Sequence, residues 1–285
     1  MYTTLISSAQ LKTLQTSGTP LRVFDCTFDL MNPPAGHMQY AEQHITGALH
    51  ADLDQHLATH DAAKRENGGR HPLPKREVFA AWLQSLGVSP DTQVVVYDRN
   101  GMNYCGRLWW MLKWCGHEAV AVLDGGLQAW TAAGGAVTSG EETAGVAGHF
   151  TLREPLVTLV NTATVAAHLG DGRQTLIDAR GAPRYRGEVE PLDPVAGHIP
   201  GALNRPFNTN LNAEGFFKSA EELRAEFSIL LGDVNPSSVV HHCGSGVSAV
   251  PNVLAMEVAG LGRTALYAGS WSEWCNTPSL PCEKS

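Results

Sequence analysis

The sequence predicts an α/β protein made of two tandem copies of one unit, each a mostly parallel sheet flanked by helices. Short apolar segments of strand character alternate with segments of helical periodicity, a pattern typical of parallel strands joined by helices. Landmarks of the first half recur in the same order in the second half. The chain has 285 residues, which is enough for two medium-sized domains.

The internal repeat rests on four pairs of landmarks, and each landmark of the first half recurs about 150 residues later. The pairs are HITGAL at 44–49 and HIPGAL at 198–203, Asp25 and Asp178 after apolar stretches, Pro90 and Pro236 before valine-rich strands, and Trp130 and Trp274 after glycine turns. The repeat predicts an N-terminal domain over residues 1–135, a linker over 136–155 and a C-terminal domain over 156–285. The Gly, Ala, Thr and Ser content around the junction favours a linker, although a surface loop inside one domain would have a similar composition.

Helical periodicity marks the segments that join the strands. Arg76–Val88 and Ala220–Gly232 carry apolar residues at helical spacing and occupy matching places in the repeat. Gly106–Gly116 is apolar on nearly every side, which predicts a helix buried against a sheet. Val247–Val258 is also helix-like. Strands separated by such helices form a sheet covered on both faces, and ligands of these folds bind beyond the carboxyl ends of the strands.

Composition and charge exclude several classes of protein. The 20 basic and 28 acidic residues give a net charge of -8, which argues against a general nucleic-acid or anionic-membrane surface. The N-terminal segment has no signal-peptide pattern, and no apolar segment reaches a membrane-spanning length. Six cysteines are too few for a disulfide scaffold in a chain this long. We therefore expect a cytoplasmic protein with reduced thiols and with neither nucleic-acid nor membrane partners.

The segment VVHHCGSGVSAV, at 239–250, places a cysteine between a strand and a glycine-rich turn. The carboxyl end of a parallel strand is where the predicted fold binds ligands, so Cys243 is a candidate nucleophile. Alignment of the two halves pairs VVVYD with VVHHC and puts Asp98 opposite Cys243. The repeat therefore predicts a catalytic C-terminal domain and a catalytically silent N-terminal domain.

A tight glycine-rich turn before a helix is suited to bind an anion, because its backbone N–H groups converge and the helix dipole adds positive charge. The same environment lowers the pKa of a cysteine and favours the thiolate. Such a thiolate could attack phosphorus, as in cysteine phosphatases, or sulfur, giving a persulfide. The phosphatase pattern Cys-x5-Arg is absent, since Ala249 stands at the arginine position.

Metal binding by the His241-His242-Cys243 run is the other alternative. Neighbouring residues of a strand point to opposite faces, so the three side chains cannot readily meet at one ion. The sequence also lacks a paired Cys-x2-Cys motif. We expect no metal and no organic cofactor. The remaining cysteines lack a cationic loop around them and are expected to be inert.

Taken together, the repeat, GHIPGA, LDGGLQAW and above all CGSGVSA resemble the two-domain rhodanese-like sulfurtransferases, from about Val23 to Trp274. The loop resembles Cys-Gly-Ser-Gly-Val-Thr-Ala of the 3-mercaptopyruvate type, with Ser248 in place of threonine. Thiosulfate-preferring members usually carry basic residues directly after the cysteine, where this chain has Gly244 and Ser245.

The resemblance implies an enzyme without cofactors that moves sulfur from 3-mercaptopyruvate through a Cys243 persulfide and releases pyruvate. The acceptor would be a thiol, such as thioredoxin or a small dithiol, or cyanide. It also implies a charge relay of Cys243 with Ser245 and Asp52. Asp52 could instead cap a helix, for which aspartate is a preferred residue.

Substrate-binding positions also follow from the resemblance. They are Arg184, with Arg186 nearby in RYRG, His71 in RHPLP, and the loop residues Gly244, Gly246, Val247 and Ser248. Arg184 could alternatively pair with Glu188 across one helical turn. Leu192 stands where the resemblance expects a second substrate arginine, so either Arg186 takes that role or the donor is held less tightly. Thiosulfate as the main donor, and a non-catalytic sulfur-carrier module, therefore remain open.

Overall fold

The computed structural model describes residues 1–285 and divides the chain into two units. Unit 1 comprises Met1–Lys64, Pro74–Leu156 and Ala213–Phe216, and unit 2 comprises Arg65–Leu73, Val157–Asn212 and Phe217–Ser285. Residues 65–73, which the repeat assigns to the first domain, thus belong to the second unit. Residues 136–155, which the repeat assigns to a linker, belong to unit 1 and include a strand.

Unit 1 is built on a five-stranded parallel sheet. Its strands are β1 (Leu5–Ile6), β2 (Leu21–Asp25), β4 (Leu49–His50), β5 (Gln93–Tyr97) and β6 (Val120–Leu123). They lie in the order β1-β6-β5-β2-β4. Two further short strands, β3 (His44–Ile45) and β7 (Val137–Thr138), form an antiparallel pair. The helices are α1 (Ser8–Thr16), α2 (Pro34–Glu42), α3 (Arg76–Ser85), α4 (Cys105–Trp114) and α5 (Gly126–Ala132).

Unit 2 is built on a second five-stranded parallel sheet. Its strands are β8 (Leu159–Val160), β9 (Thr175–Asp178), β10 (Leu203–Asn204), β11 (Val239–His242) and β12 (Ala265–Tyr267). They lie in the order β10-β9-β11-β12-β8. The helices are α6 (Thr162–Ala167), α7 (Ala182–Arg186), α8 (Ala220–Leu231), α9 (Val250–Val258) and α10 (Ser270–Trp274), with 3₁₀ turns at Phe207–Asn210 and Pro236–Ser238.

The two sheets have the same topology, which confirms the predicted tandem α/β fold. Reversed, the unit 1 order is β4-β2-β5-β6-β1, and each strand then matches the unit 2 strand at the same position. β5 and β11 are the central strands. Asp98 directly follows β5 and Cys243 directly follows β11, so the two residues occupy equivalent places at the carboxyl ends of the sheets.

Local sequence accounts for the helices that flank the central strands. Every residue of α4 is buried, as its apolar sequence predicts. A capping box between Ser219 and Glu222 starts α8, because each side chain accepts a hydrogen bond from the other residue's backbone N–H. Pro251 lies in the first turn of α9, where its missing N–H is tolerated. No helix combines the length and apolar character needed to cross a membrane.

The Asp98 side chain fills the loop that follows the central strand of unit 1. Its Oδ1 accepts hydrogen bonds from the backbone N–H groups of Asn100 (2.8 Å) and Met102 (2.9 Å). Its Oδ2 accepts from those of Tyr104 (2.8 Å) and Cys105 (2.9 Å). Burial raises the pKa of Asp98, and the four hydrogen bonds oppose this effect. The carboxylate therefore acts as an internal ligand for converging backbone donors.

A buried histidine lies on the central strand of unit 2. His241 is fully buried, and its Nε2 lies 3.2 Å from the Sδ of Met256. Burial lowers the pKa of His241 to about 3, with smaller contributions from the nearby His242 and Arg205. His241 is therefore an uncharged core residue at neutral pH.

We predict that Asp98→Ala destabilises the protein, because four backbone donors in a buried loop lose their acceptor. The free energy of unfolding should fall by about 3–5 kcal/mol, as for other buried hydrogen-bonded charges that lose a partner. Urea denaturation of this variant and of Asp91→Ala, which alters an exposed aspartate before β5, would measure the difference. Equal stability of the two variants would contradict the assigned role of the carboxylate.

We also predict that the free energy of unfolding declines as the pH falls below about 6.5, the ordinary pKa of an unfolded histidine. Between that pH and a folded-state pKa of about 3, the unfolded chain binds a proton that folded His241 does not. For each pH unit in this window, the proton bound by unfolded His241 should lower the free energy of unfolding by about 1.4 kcal/mol. His241→Asn should flatten the dependence measured by denaturation at pH 7 and pH 5. His60→Asn, at an exposed histidine, should leave it unchanged; an unaltered slope in His241→Asn would refute the assignment.

Candidate active site

Cys243 lies at the carboxyl end of β11 and is held from its backbone by the start of α10. Its N–H donates to the Oγ of Ser270 (3.1 Å), and its carbonyl accepts from the N–H of Trp271 (2.9 Å). Ser270 has a φ of 55°, in the left-handed region that rarely suits a residue with a side chain. The Cys243 residue is only 2% exposed. The thiol is therefore placed by a buried backbone clamp.

In the loop after Cys243, only a glycine fits at position 246. Its φ is 75°, and a Cβ at this position would lie 2.3 Å from the carbonyl oxygen of Ala268. Val247 is buried and Ser248 is half-buried. The loop then enters α9 at Val250. Small residues are thus required for the loop to fold closely against the end of β12.

The backbone donors of this loop correspond to those that bind Asp98 in unit 1. Counting from Cys243 in the same register, they are the N–H groups of Ser245, Val247, Ala249 and Val250. The N–H of Val250 donates to the carbonyl of Val247 (3.0 Å), whereas the other three residues are buried and their N–H groups donate no hydrogen bond within the protein. Cys243 thus stands at the place of Asp98, at the start of a loop in which three backbone donors are available to an anion.

The structure brings His71 and Ser245 together. The Nδ1 of His71 lies 2.7 Å from the Oγ of Ser245, and both residues are buried. His71 belongs to the 65–73 segment of unit 2, so this contact is made within one unit. Two residues 174 positions apart therefore form one hydrogen-bonded pair on the Cys243 loop.

Arg184 lies beside the loop and is paired with acidic side chains. It donates to both carboxylate oxygens of Glu190 (2.6 and 3.2 Å) and to the Oδ2 of Asp193 (3.3 Å). These partners replace the Glu188 pairing that the sequence left open. Glu188 instead pairs with Arg186, whose side chain is 43% exposed. No hydrogen bond or ion pair links Arg186 to the loop.

A second arginine near the loop was not predicted. A Cβ built on Gly244 would lie 2.9 Å from Nη2 of Arg70 and 3.5 Å from Nη1 of Arg184. Arg70 also donates to the Oδ1 of Asp193 at 2.6 Å. Burial raises the pKa of the Asp193 carboxyl, and the positive charges of Arg70 and Arg184 partly offset this rise. The sequence signal was the position next to His71, but only folding places Arg70 against Gly244.

A buried ion pair between Arg180 and Asp178 lies near Cys243. Arg180 donates to both carboxylate oxygens of Asp178, with the shortest contact at 2.6 Å, and its guanidinium lies 4.9 Å from the centroid of a Trp271 ring. Burial would lower the pKa of Arg180, but Asp178 and Glu190 raise it above its ordinary value, with a smaller contribution from Cys243. Arg180 is therefore a permanent positive charge near the thiol. The repeat singled out Asp178 as a landmark but did not predict this pair.

Asp52 belongs to unit 1, where it starts the turn that follows β4. Its Oδ1 accepts hydrogen bonds from the N–H groups of Asp54 and Gln55, both at 2.9 Å. Its own N–H donates to Nδ1 of His56 (3.0 Å). These contacts are those of a capping aspartate. The part that Asp52 takes in the charge relay stays a prediction.

The fold and the site define a class of protein: a tandem α/β protein with a buried cysteine at the start of a glycine-rich loop in its second unit. The rhodanese-like domain family matches residues 7–133 and 161–277. The chain therefore belongs to the rhodanese-like family, as the sequence motifs predict.

Comparison with particular proteins supports this assignment over the full length. A Pseudomonas aeruginosa protein named "Probable 3-mercaptopyruvate sulfurtransferase" is 45% identical over 282 residues, covering 97% of this chain and 98% of the relative. The thiosulfate sulfurtransferase of Cricetulus griseus is 35% identical, covering 96% and 92%. The crystal structure of SseA from Escherichia coli, described as a 3-mercaptopyruvate sulfotransferase, superimposes with a TM-score of 0.78 at 30% identity and covers 95% and 100%.

Proposed function

We propose that this protein is a 3-mercaptopyruvate sulfurtransferase that carries sulfur on Cys243. The observation that carries the proposal is the Cys243 loop, in which a buried cysteine stands at the place of Asp98 and three matching backbone donors are left without an acceptor. Such a loop stabilises both the attacking thiolate and the negative charge of a persulfide. The 45% identity to the Pseudomonas aeruginosa relative supports 3-mercaptopyruvate as the donor.

The first half-reaction transfers one sulfur atom to the enzyme. The Cys243 thiolate attacks the thiol sulfur of 3-mercaptopyruvate, a sulfur–sulfur bond forms, and the carbon–sulfur bond breaks. The bonding electron pair goes to the departing carbon, giving the enolate of pyruvate. That carbon takes up the proton of the transferred thiol group, so pyruvate leaves and Cys243 remains as a deprotonated persulfide. Atoms and charges balance without a cofactor.

Ser245 and His71 are positioned to move this proton. Their 2.7 Å contact forms a short path between an imidazole and a hydroxyl on the loop that begins at Cys243. Asp52 is the proposed third member of the relay, in keeping with the resemblance. Arg184, whose side chain is 21% exposed, binds the donor carboxylate through N–H groups that its acidic partners leave available.

The second half-reaction passes the outer sulfur to an acceptor. A thiolate attacks the outer sulfur of the persulfide, the bond between the two sulfurs breaks, and Cys243 returns as the thiolate. Reduced thioredoxin, a small dithiol or cyanide would serve as acceptor. A cytoplasmic location is part of the proposal, and it is favoured by the six cysteines, all of which are free thiols.

Thiosulfate is a second candidate donor because two arginine side chains lie beside the loop. Arg70 and Arg184 both lie within 4 Å of a Cβ built on Gly244, and they supply the positive charge that a dianion requires. The similarity to the Cricetulus griseus thiosulfate sulfurtransferase fits this alternative. Turnover of both donors by one preparation distinguishes the two candidates.

We predict that Cys243→Ser abolishes sulfur transfer and leaves the fold intact, since a hydroxyl is a far poorer nucleophile and forms no persulfide. Wild-type protein mixed with 3-mercaptopyruvate alone should release one pyruvate per chain and gain one sulfur atom on Cys243, as measured by peptide mass spectrometry. Asp98→Ala should keep this chemistry under conditions where it is folded. A sulfur on another cysteine, or turnover by Cys243→Ser, would refute the mechanism. Absence of pyruvate from the wild-type reaction would favour a sulfur-carrier module.

We predict that Arg184→Ala lowers kcat/KM for 3-mercaptopyruvate by about tenfold to a few hundredfold, because one charge-assisted bond to a carboxylate is lost. Arg184→Lys should recover part of the loss, since lysine cannot form the bidentate fork. Steady-state kinetics would be compared with Arg173→Ala, a change at an exposed arginine of unit 2. A severe loss in Arg186→Ala together with an unaffected Arg184→Ala would show that the wrong arginine of RYRG was assigned.

A further inference from the structure

Arg70 is fixed beside the active-site loop by its own backbone. Its N–H donates to the Oγ of Ser272 (3.0 Å), on the helix that also clamps Cys243. The preceding Gly69 has a φ of 88°, and a Cβ there would lie 2.7 Å from the carbonyl oxygen of Gly269. This segment of unit 2 therefore lies directly against the turn before α10, and the arginine leaves it at a defined place.

The guanidinium groups of Arg70 and Arg184 approach the same residue. Nη2 of Arg70 lies 2.9 Å, and Nη1 of Arg184 lies 3.5 Å, from the position of a Cβ on Gly244. A Cβ directly after Cys243 would be too close to Arg70, while its distance to Arg184 would be an ordinary van der Waals contact, so the glycine makes room for the guanidinium of Arg70. Positive charge that thiosulfate-preferring members are expected to carry within the loop is here supplied by two segments outside it.

Asp193 orients the two arginines from one side. It accepts from Nη1 of Arg70 (2.6 Å) and from Nη2 of Arg184 (3.3 Å), and its side chain is 4% exposed. The atoms nearest Gly244, Nη2 of Arg70 and Nη1 of Arg184, donate no hydrogen bond within the protein. Nε of Arg70 is also buried without a hydrogen-bond partner. The side chains are 23% and 21% exposed, so the unused donors are within reach of a small anion.

We propose that Arg70 is the second arginine that binds the donor carboxylate, in the role for which Leu192 leaves no charged side chain. The proposal rests on the proposed function and names a specificity-determining residue of the same site. One carboxylate of 3-mercaptopyruvate would receive hydrogen bonds from both guanidinium groups while its thiol faces Cys243. Arg186 does not fill this role, because it is exposed and paired with Glu188.

The test compares two donors that differ only at the carboxylate. Mercaptoacetone has a methyl group in place of the carboxylate of 3-mercaptopyruvate and keeps the thiol and the ketone. Arg70→Ala should lower kcat/KM for 3-mercaptopyruvate by about tenfold to a hundredfold, mainly by raising KM, and leave kcat/KM for mercaptoacetone unchanged. Arg70→Lys, which keeps the charge beside Asp193, should lose less. Arg65→Ala, at an exposed arginine of the same segment, is the matched control for both donors.

Misfolding is separated from lost recognition by the donor that carries no charge. Sulfur transfer from mercaptoacetone to 2-mercaptoethanol is measured in the wild type and in Arg70→Ala, and the far-ultraviolet circular dichroism spectra of the two proteins are compared. Equal rates with this uncharged donor and equal spectra are expected. Equal loss with every sulfur source, or no loss with 3-mercaptopyruvate, would overturn the proposal for Arg70. A wild-type enzyme that releases no pyruvate would instead refute the proposed function and, with it, this inference.

Discussion

Backbone N–H groups that converge after the central strand of each sheet require a negative charge, and the rest of the site depends on this requirement. Buried donors without an acceptor are costly, so the loop must bind an anion or be supplied with one. Unit 1 supplies it covalently through the Asp98 carboxylate. Unit 2 has Cys243 at the same place, so its loop has no carboxylate of its own. The two copies therefore differ in whether the loop contains its own anion or leaves donors available to a bound one.

The local sequence of unit 2 follows from the need to hold this loop close to the sheet. Glycine is the only residue type that fits at position 246, against the carbonyl of Ala268. Ser270 has a left-handed backbone conformation, and its hydroxyl oxygen accepts a hydrogen bond from the N–H of Cys243. The beginning of α10 thus fixes the backbone from which the Cys243 side chain extends.

Acidic partners orient the arginines around the loop, and they leave some of the guanidinium N–H groups without a hydrogen bond. Arg180 is bound to buried Asp178 and Arg184 to buried Glu190, while Arg70 and Arg184 share Asp193. An arginine has five N–H donors, so a carboxylate on one edge leaves others for a substrate. Because these arginines come from two segments outside the loop, the loop itself can consist of small residues. This division explains how a loop without basic residues still has guanidinium donors beside it.

The sequence by itself determined the tandem α/β fold, the equivalence of Asp98 and Cys243, and the position of the thiol at the end of a strand. These features depend on periodicity, repetition and local turn chemistry, which are properties of short segments. Only the tertiary structure decided that the 65–73 segment belongs to unit 2, that His71 contacts Ser245, and that Arg70 reaches Gly244. These contacts join residues more than 170 positions apart, and nothing in a local pattern specifies which remote side chain fills a given space. Ion-pair partners have the same origin: spacing favoured Glu188 for Arg184, but side-chain packing selected Glu190 and Asp193.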